Sequence, residues 1–201
     1  LSLASRASAS ARRGTTRGFG TTTQEVPDDP STRGREATTM ERTAALESWV
    51  KTLAVDKSVR GMKTEGVLAS GGAPAAALIA RVARAIVEED GGHASPKACA
   101  AGDEWAQARS LARKFSEAAY ERWPASKSPS GAEASAAVEI LLYCAACCDK
   151  SSKRGAYIQR ILRLPQQQQQ QLMGAMKAQM AAEREAQSAG KSPPRKSPAR
   201  R

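Results

Sequence analysis

The chain has 201 residues, room for one domain with tails, and 31 Lys and Arg against 20 Asp and Glu give it a net charge of +11. That excess sits in residues 1–19 and 188–201, which hold no acid; the near-neutral remainder argues against a domain whose own surface is built to bind nucleic acid. Aromatics are 4% and much of the apolar content is Ala, so the core is expected to be closely packed but thin, suited to a subunit that completes itself against partners.

Residues 1–24 carry Arg6, Arg12, Arg13 and Arg17 among many Ser, Thr and Ala, with no acid before Glu25. This resembles an organellar transit peptide, which is rich in Arg and Ser and poor in acids. Arg17-Gly18-Phe19-Gly20 is similar to the Arg-x-aromatic pattern at which mitochondrial presequences are cut, which implies a mature start near Gly20. The resemblance implies a mitochondrial address, with plastid import as the alternative; a basic arm that is never cleaved is the plain reading. Residues 25–37 hold two prolines, a glycine and mixed charge, and read as a linker.

The helical domain is expected over 38–187. Thr38 and Glu41 have capping-box spacing, and Leu46, Trp49, Val50 and Leu53 follow at helical intervals. Residues 56–72 are weaker, and Ser70-Gly-Gly-Ala-Pro74 reads as a flexible joint, since it lacks the full phosphate-loop pattern. Pro74 opens a helix bearing Leu78, Ile79, Val82, Ala83 and Ile86, which Gly91-Gly92 stops. The next helix, over 103–123, aligns Trp105, Ala108, Leu111, Ala112, Phe115 and Ala119 and ends at Pro124.

Residues 130–149 form the most apolar segment, opened by a Ser130/Glu133 capping box. A helix apolar on every side belongs inside a bundle, and Glu133, Glu139 and Asp149 argue against a membrane span. A basic helix follows over 152–164, with Tyr157, Ile158, Ile161 and Leu162 inward and Lys153, Arg154, Arg160 and Arg163 outward. Pro165 opens a last helix with six glutamines and then Leu172, Met173, Met176 and Met180. With no strand-like alternation, the expected fold is all-α: an irregular bundle of about six helices between disordered N- and C-terminal tails.

Cys144, Cys147 and Cys148 are the most chemical-looking cluster. A redox C-x-x-C sits at a helix N-terminus, where the dipole lowers the thiol pKa. Here the three lie near a helix C-terminus and read as packing residues in a reducing compartment. Only Cys99 and His93 could extend the set toward zinc, and His93 is the sole histidine, so no catalytic constellation and no cofactor are expected. The C-terminal segment carries Lys191, Arg195, Lys196, Arg200 and Arg201, with Ser192 and Ser197 each before proline. These units resemble the Ser-Pro-basic repeats of linker-histone tails and the sites of proline-directed kinases, which implies phosphate binding that phosphorylation would weaken.

Together these features lead to an expectation of a non-enzymatic accessory subunit of a large mitochondrial assembly: the ribosome, a respiratory complex or ATP synthase. Its contacts with protein or ribonucleoprotein partners, and with RNA through the tail, are expected at Lys153, Arg154, Arg160, Arg163 and the five tail cations. The alternative is a nuclear or cytosolic interaction protein whose Ser-Pro tail binds nucleic acid.

Overall fold

A computed structural model describes residues 30–53, 64–92 and 103–189, with side chains from residue 38 to residue 188. Eight helices are described and no strand: α1 (Pro30–Leu53), α2 (Val67–Ser70), α3 (Gly72–Glu89), α4 (Glu104–Arg113), α5 (Glu117–Glu121), α6 (Gly131–Ala146), α7 (Arg154–Leu162) and α8 (Gln166–Ala189). The all-α expectation holds. Residues 1–29 and 190–201, which include the segment read as a leader and the basic C-terminal segment, lie outside the described residues, as do His93 and Cys99.

The bundle is built around α6. From Ala134 to Ala146 nearly every side chain on it is buried, because α1, α2, α3, α4, α7 and α8 all pack against it. Its start is the capping box read from the sequence: Ser130 Oγ accepts from Glu133 N–H at 3.3 Å, and the Glu133 carboxylate accepts from Ser130 N–H at 2.8 Å. The helix ends at Ala146 with Cys147 as its cap, so Cys148 and Asp149 lie beyond it, short of the expected helix end at Asp149. Glu139, midway along, accepts from Arg42 Nη2 of α1 at 2.8 Å.

Two further helix assignments differ from the sequence reading. α1 starts at Pro30, so Thr38 and Glu41 lie inside a helix rather than at its cap. The segment read as one helix over 103–123 is two. Ser116 takes an extended backbone (φ −152°, ψ 130°) and its Oγ accepts from Ala119 N–H, so α4 stops before it and α5 starts after it. Apolar spacing continues through Phe115 and Ala119, both buried, which is why periodicity alone ran the two together.

The joint at Ser70–Pro74 is tight rather than flexible. Gly71 has φ +67°, and Gly72 N–H donates to Pro129 O at 2.6 Å, pinning the α2–α3 corner to the start of α6. A Cβ on Gly131 would lie 2.1 Å from Ala69 O and one on Gly71 would lie 2.6 Å from Pro129 O, so two backbones meet where only glycine fits. Glu47 of α1 accepts from Gly66 N–H at 3.1 Å and Leu68 N–H at 3.2 Å, holding α2 from the other side.

Candidate functional site

The basic helix read from the sequence is α7, and its surroundings divide the expected contact residues. Asp90, at the end of α3, accepts from Lys153 N–H and from Ser152 Oγ, each at 2.9 Å. A carboxylate thus closes the helix N-terminus, where the dipole favours negative charge. Arg160 points inward: its guanidinium donates to both oxygens of Glu89 at 2.8 and 2.7 Å and lies over the Tyr157 ring at 5.2 Å. It clamps α7 to α3 and is not part of an outward basic face. Arg154 donates to Asp149 at 3.1 Å on the surface, and Lys153 and Arg163 are exposed.

The apolar side of α7 is also divided. Tyr157 and Ile161 are buried, but Ile158 is 40% and Leu162 52% exposed, against the expectation that all four face inward. The reason is angular. Residues 157 and 161 form one line on a helix, and 158 and 162 form another rotated by about 100°, so a short helix at the bundle edge buries only the first. On α8, Leu172 and Ala175 are buried and Met176 is partly so, while Met173 is 45% and Met180 38% exposed. The methionine row therefore faces out as much as in. One glutamine of the run has a structural role: Gln169 Nε2 donates to Leu162 O at 3.1 Å and Leu164 O at 2.7 Å, satisfying carbonyls left open at the end of α7.

Residues 150–182 contain Lys150, Lys153, Arg154, Arg160, Arg163 and Lys177 but no Asp or Glu. Four of the five large apolar side chains exposed among the described residues fall in the same stretch, the fifth being Met40 on α1, which packs against α8. The exposed part of this stretch of α7 and α8, which itself carries no acid, is the candidate interaction face. Sequence periodicity missed it by turning Ile158 and Leu162 inward; the absence of any acid from 150 to 182 is the signal that could have found it. The expected contacts Lys191, Arg195, Lys196, Arg200 and Arg201, and the expected phosphosites Ser192 and Ser197, lie outside the described residues.

The cysteine cluster has its own geometry. Cys144 is in the core, and its thiol is held protonated well above the usual range, first by donating to Cys148 and then by burial. Cys148, just past the end of α6, is pushed down because its sulfur accepts from Cys144 and from the Tyr143 hydroxyl, although burial and the Glu183 and Asp149 carboxylates act the other way. Tyr143 is raised above the usual phenol value, chiefly by burial. Burial also raises Cys147. Among the described residues, no three His, Cys, Asp or Glu groups are placed to share a metal ion. Nor is any described helix long and apolar enough to cross a membrane. Comparison of the chain with protein families, with curated proteins and with solved structures finds no match.

Proposed function

We propose that the protein is a non-enzymatic accessory subunit that docks on a large mitochondrial assembly through the outer face of α7 and α8, with the basic C-terminal segment reaching RNA or an acidic neighbouring subunit. The observation that carries this reading is the pairing of exposed Ile158, Leu162, Met173 and Met180 with a stretch of 33 residues, 150–182, that has cations and no acid. Exposed apolar groups in one region mark a contact surface, and methionines suit one that adapts to its partner. The Arg-rich, acid-free leader supports the mitochondrial address, with a plastid as the alternative organelle. The ribosome, a respiratory complex and ATP synthase are the assemblies such a subunit would serve.

A second reading rests on the Ser192-Pro and Ser197-Pro units: a nuclear or cytosolic protein whose tail holds nucleic acid until phosphorylation adds negative charge. One experiment separates the two. A chain tagged at its C-terminus is located in cells, its mature N-terminus is sequenced, and the extract is sedimented under native conditions. Import into mitochondria, a start near Gly20 and sedimentation far heavier than the chain alone are the expected results. An uncleaved nuclear protein whose nucleic-acid binding is lost on deleting residues 188–201 would establish the second reading instead.

A further inference from the structure

A cavity of about 500 Å³ opens between α5, the end of α6 and α8. Phe115 and Tyr143 give it apolar wall, and four carboxylates, Glu117, Glu121, Asp149 and Glu183, line it with one cation, Lys150. Glu183 is already committed to the fold: Ser116 Oγ donates to it at 2.9 Å and Arg122 pairs with it at 3.1 Å. The other three acids are more open. Glu121 is exposed and forms no ion pair among the described residues, while Arg113 holds Glu117 by one oxygen at 2.7 Å and Arg154 holds Asp149 by one oxygen at 3.1 Å. In a chain of net charge +11, this recess is rich in acid.

The most basic segment of the chain leaves α8 beside it. Glu183, Ala186 and Gln187 belong to the cavity wall, and α8 ends two residues later at Ala189. Gly190 comes next, the residue type that most often closes a helix and turns the chain aside. Residues 190–201 then carry Lys191, Arg195, Lys196, Arg200 and Arg201 and no acid. At about 3.3 Å per residue, Lys191 is within about 7 Å of the helix end and Lys196 within about 23 Å. A tether this short holds the cations near the cavity at an effective concentration of about millimolar. Ion pairs that are individually weak because they are exposed can then act together without any second molecule.

We propose that residues 190–201 fold back and occupy this cavity in the isolated chain, with Lys191 and Lys196 pairing with Glu117, Glu121 and Asp149. The consequence is competition. Cations that would hold RNA or an acidic subunit are taken up by the chain's own carboxylates until such a polyanion draws them away. Phosphate on Ser192 or Ser197 would set negative charge against the same carboxylates and open the contact. The inference is independent of the α7 and α8 docking face, since it concerns the chain before it meets a partner.

The test is carbodiimide cross-linking of the unmutated full chain, which joins a lysine to a carboxylate in direct contact, with the links in the monomer fraction mapped by mass spectrometry. Lys191 is close to Glu183 in sequence, so Lys196 is the informative residue. Its links to Glu117, Glu121 or Asp149 should exceed those to Glu88 and Asp103, exposed acids that do not line the cavity, by about fivefold. The yield should not depend on protein concentration and should collapse at about 1 M salt, where charges are screened beyond about 3 Å. Ser192→Glu with Ser197→Glu should lower it by about fivefold. Links from Lys196 spread evenly over exposed acids, no link to the three cavity acids at low salt, or links only between copies would each overturn the proposal. So would cavity acids linked to a co-purifying protein while Lys196 stays unlinked, which would assign the cavity to that partner.

Discussion

At Gly131 the fold depends on a missing side chain. An added Cβ would meet Ala69 O at 2.1 Å, a contact between two backbones that no rotamer change relieves. Gly131→Ala is therefore expected to lower stability by about 1–3 kcal/mol, as overpacking does. Gly155 in α7 and Gly174 in α8 have open space around the same position, so alanine there should raise stability by about 0.5–1 kcal/mol through helix propensity. Urea denaturation of the three variants checks both signs. Nothing local distinguishes these glycines in the sequence: Gly131 follows a good cap and would pass for an exchangeable first-turn residue. The two carboxylates of α6 divide in the same way. Glu133 is held below the usual carboxylate range, first by the Ser130 backbone N–H, whereas burial raises Glu139 by more than Arg42 lowers it. The capping box thus contributes above the ordinary Glu value and loses that contribution as pH falls through the lowered one. Glu139 has the opposite sign: stability is fullest below the ordinary value and is lost as pH rises through the raised one. Carbon-13 titration of the two carboxyls should give midpoints on opposite sides of ordinary glutamate, and Glu139→Gln should reduce the loss on the alkaline side.

Between elements, similar ion pairs carry different weight. Arg160 and Glu89 form a two-pronged pair, both largely buried, which joins α7 to α3. Arg154 and Asp149 meet on the surface, with the Asp149 side chain fully exposed. Double-mutant cycles by urea denaturation should give a coupling of about 1–2 kcal/mol for the first pair, while the second should lie at the bottom of the range for exposed pairs. A coupling no larger for Arg160–Glu89 than for Arg154–Asp149 would mean that Arg160 is available to a partner after all. The sequence placed both arginines on one outward face because charge pattern along a helix does not reveal which neighbour supplies an acid. By contrast α6 could be read almost completely, its cap from Ser130 and Glu133 and its burial from an apolar surface on every side. The break at Ser116 lay between these extremes. The signal was present, a serine that caps Ala119 N–H, but buried Phe115 and Ala119 kept the apolar rhythm unbroken across it.

Among the described residues a closed core is combined with an edge that leaves large apolar side chains exposed. Trp49, Tyr157, Leu141, Leu142 and Leu172 are fully buried, so the expected thinness of an Ala-rich core does not lie at its centre. It lies at the edge, where α7 contributes only Tyr157 and Ile161 to the interior and leaves Ile158 and Leu162 outside. A face that serves only docking and one that also holds the fold respond differently to substitution. Ile158→Asp with Leu162→Asp should change stability by no more than about 0.5 kcal/mol per site, the usual range for surface positions. Tyr157→Ala, one residue away, should cost about 3–5 kcal/mol, as expected for losing a buried aromatic side chain. Under the proposed function the aspartate pair should also release the chain from its assembly, since it places acids in a stretch that has none and removes its exposed aliphatic groups. Native sedimentation of the tagged variants provides the measurement. A double aspartate variant that is folded, imported and still sediments with the assembly would show that α7 is not the docking face, and would shift attention to Met40 and the methionines of α8.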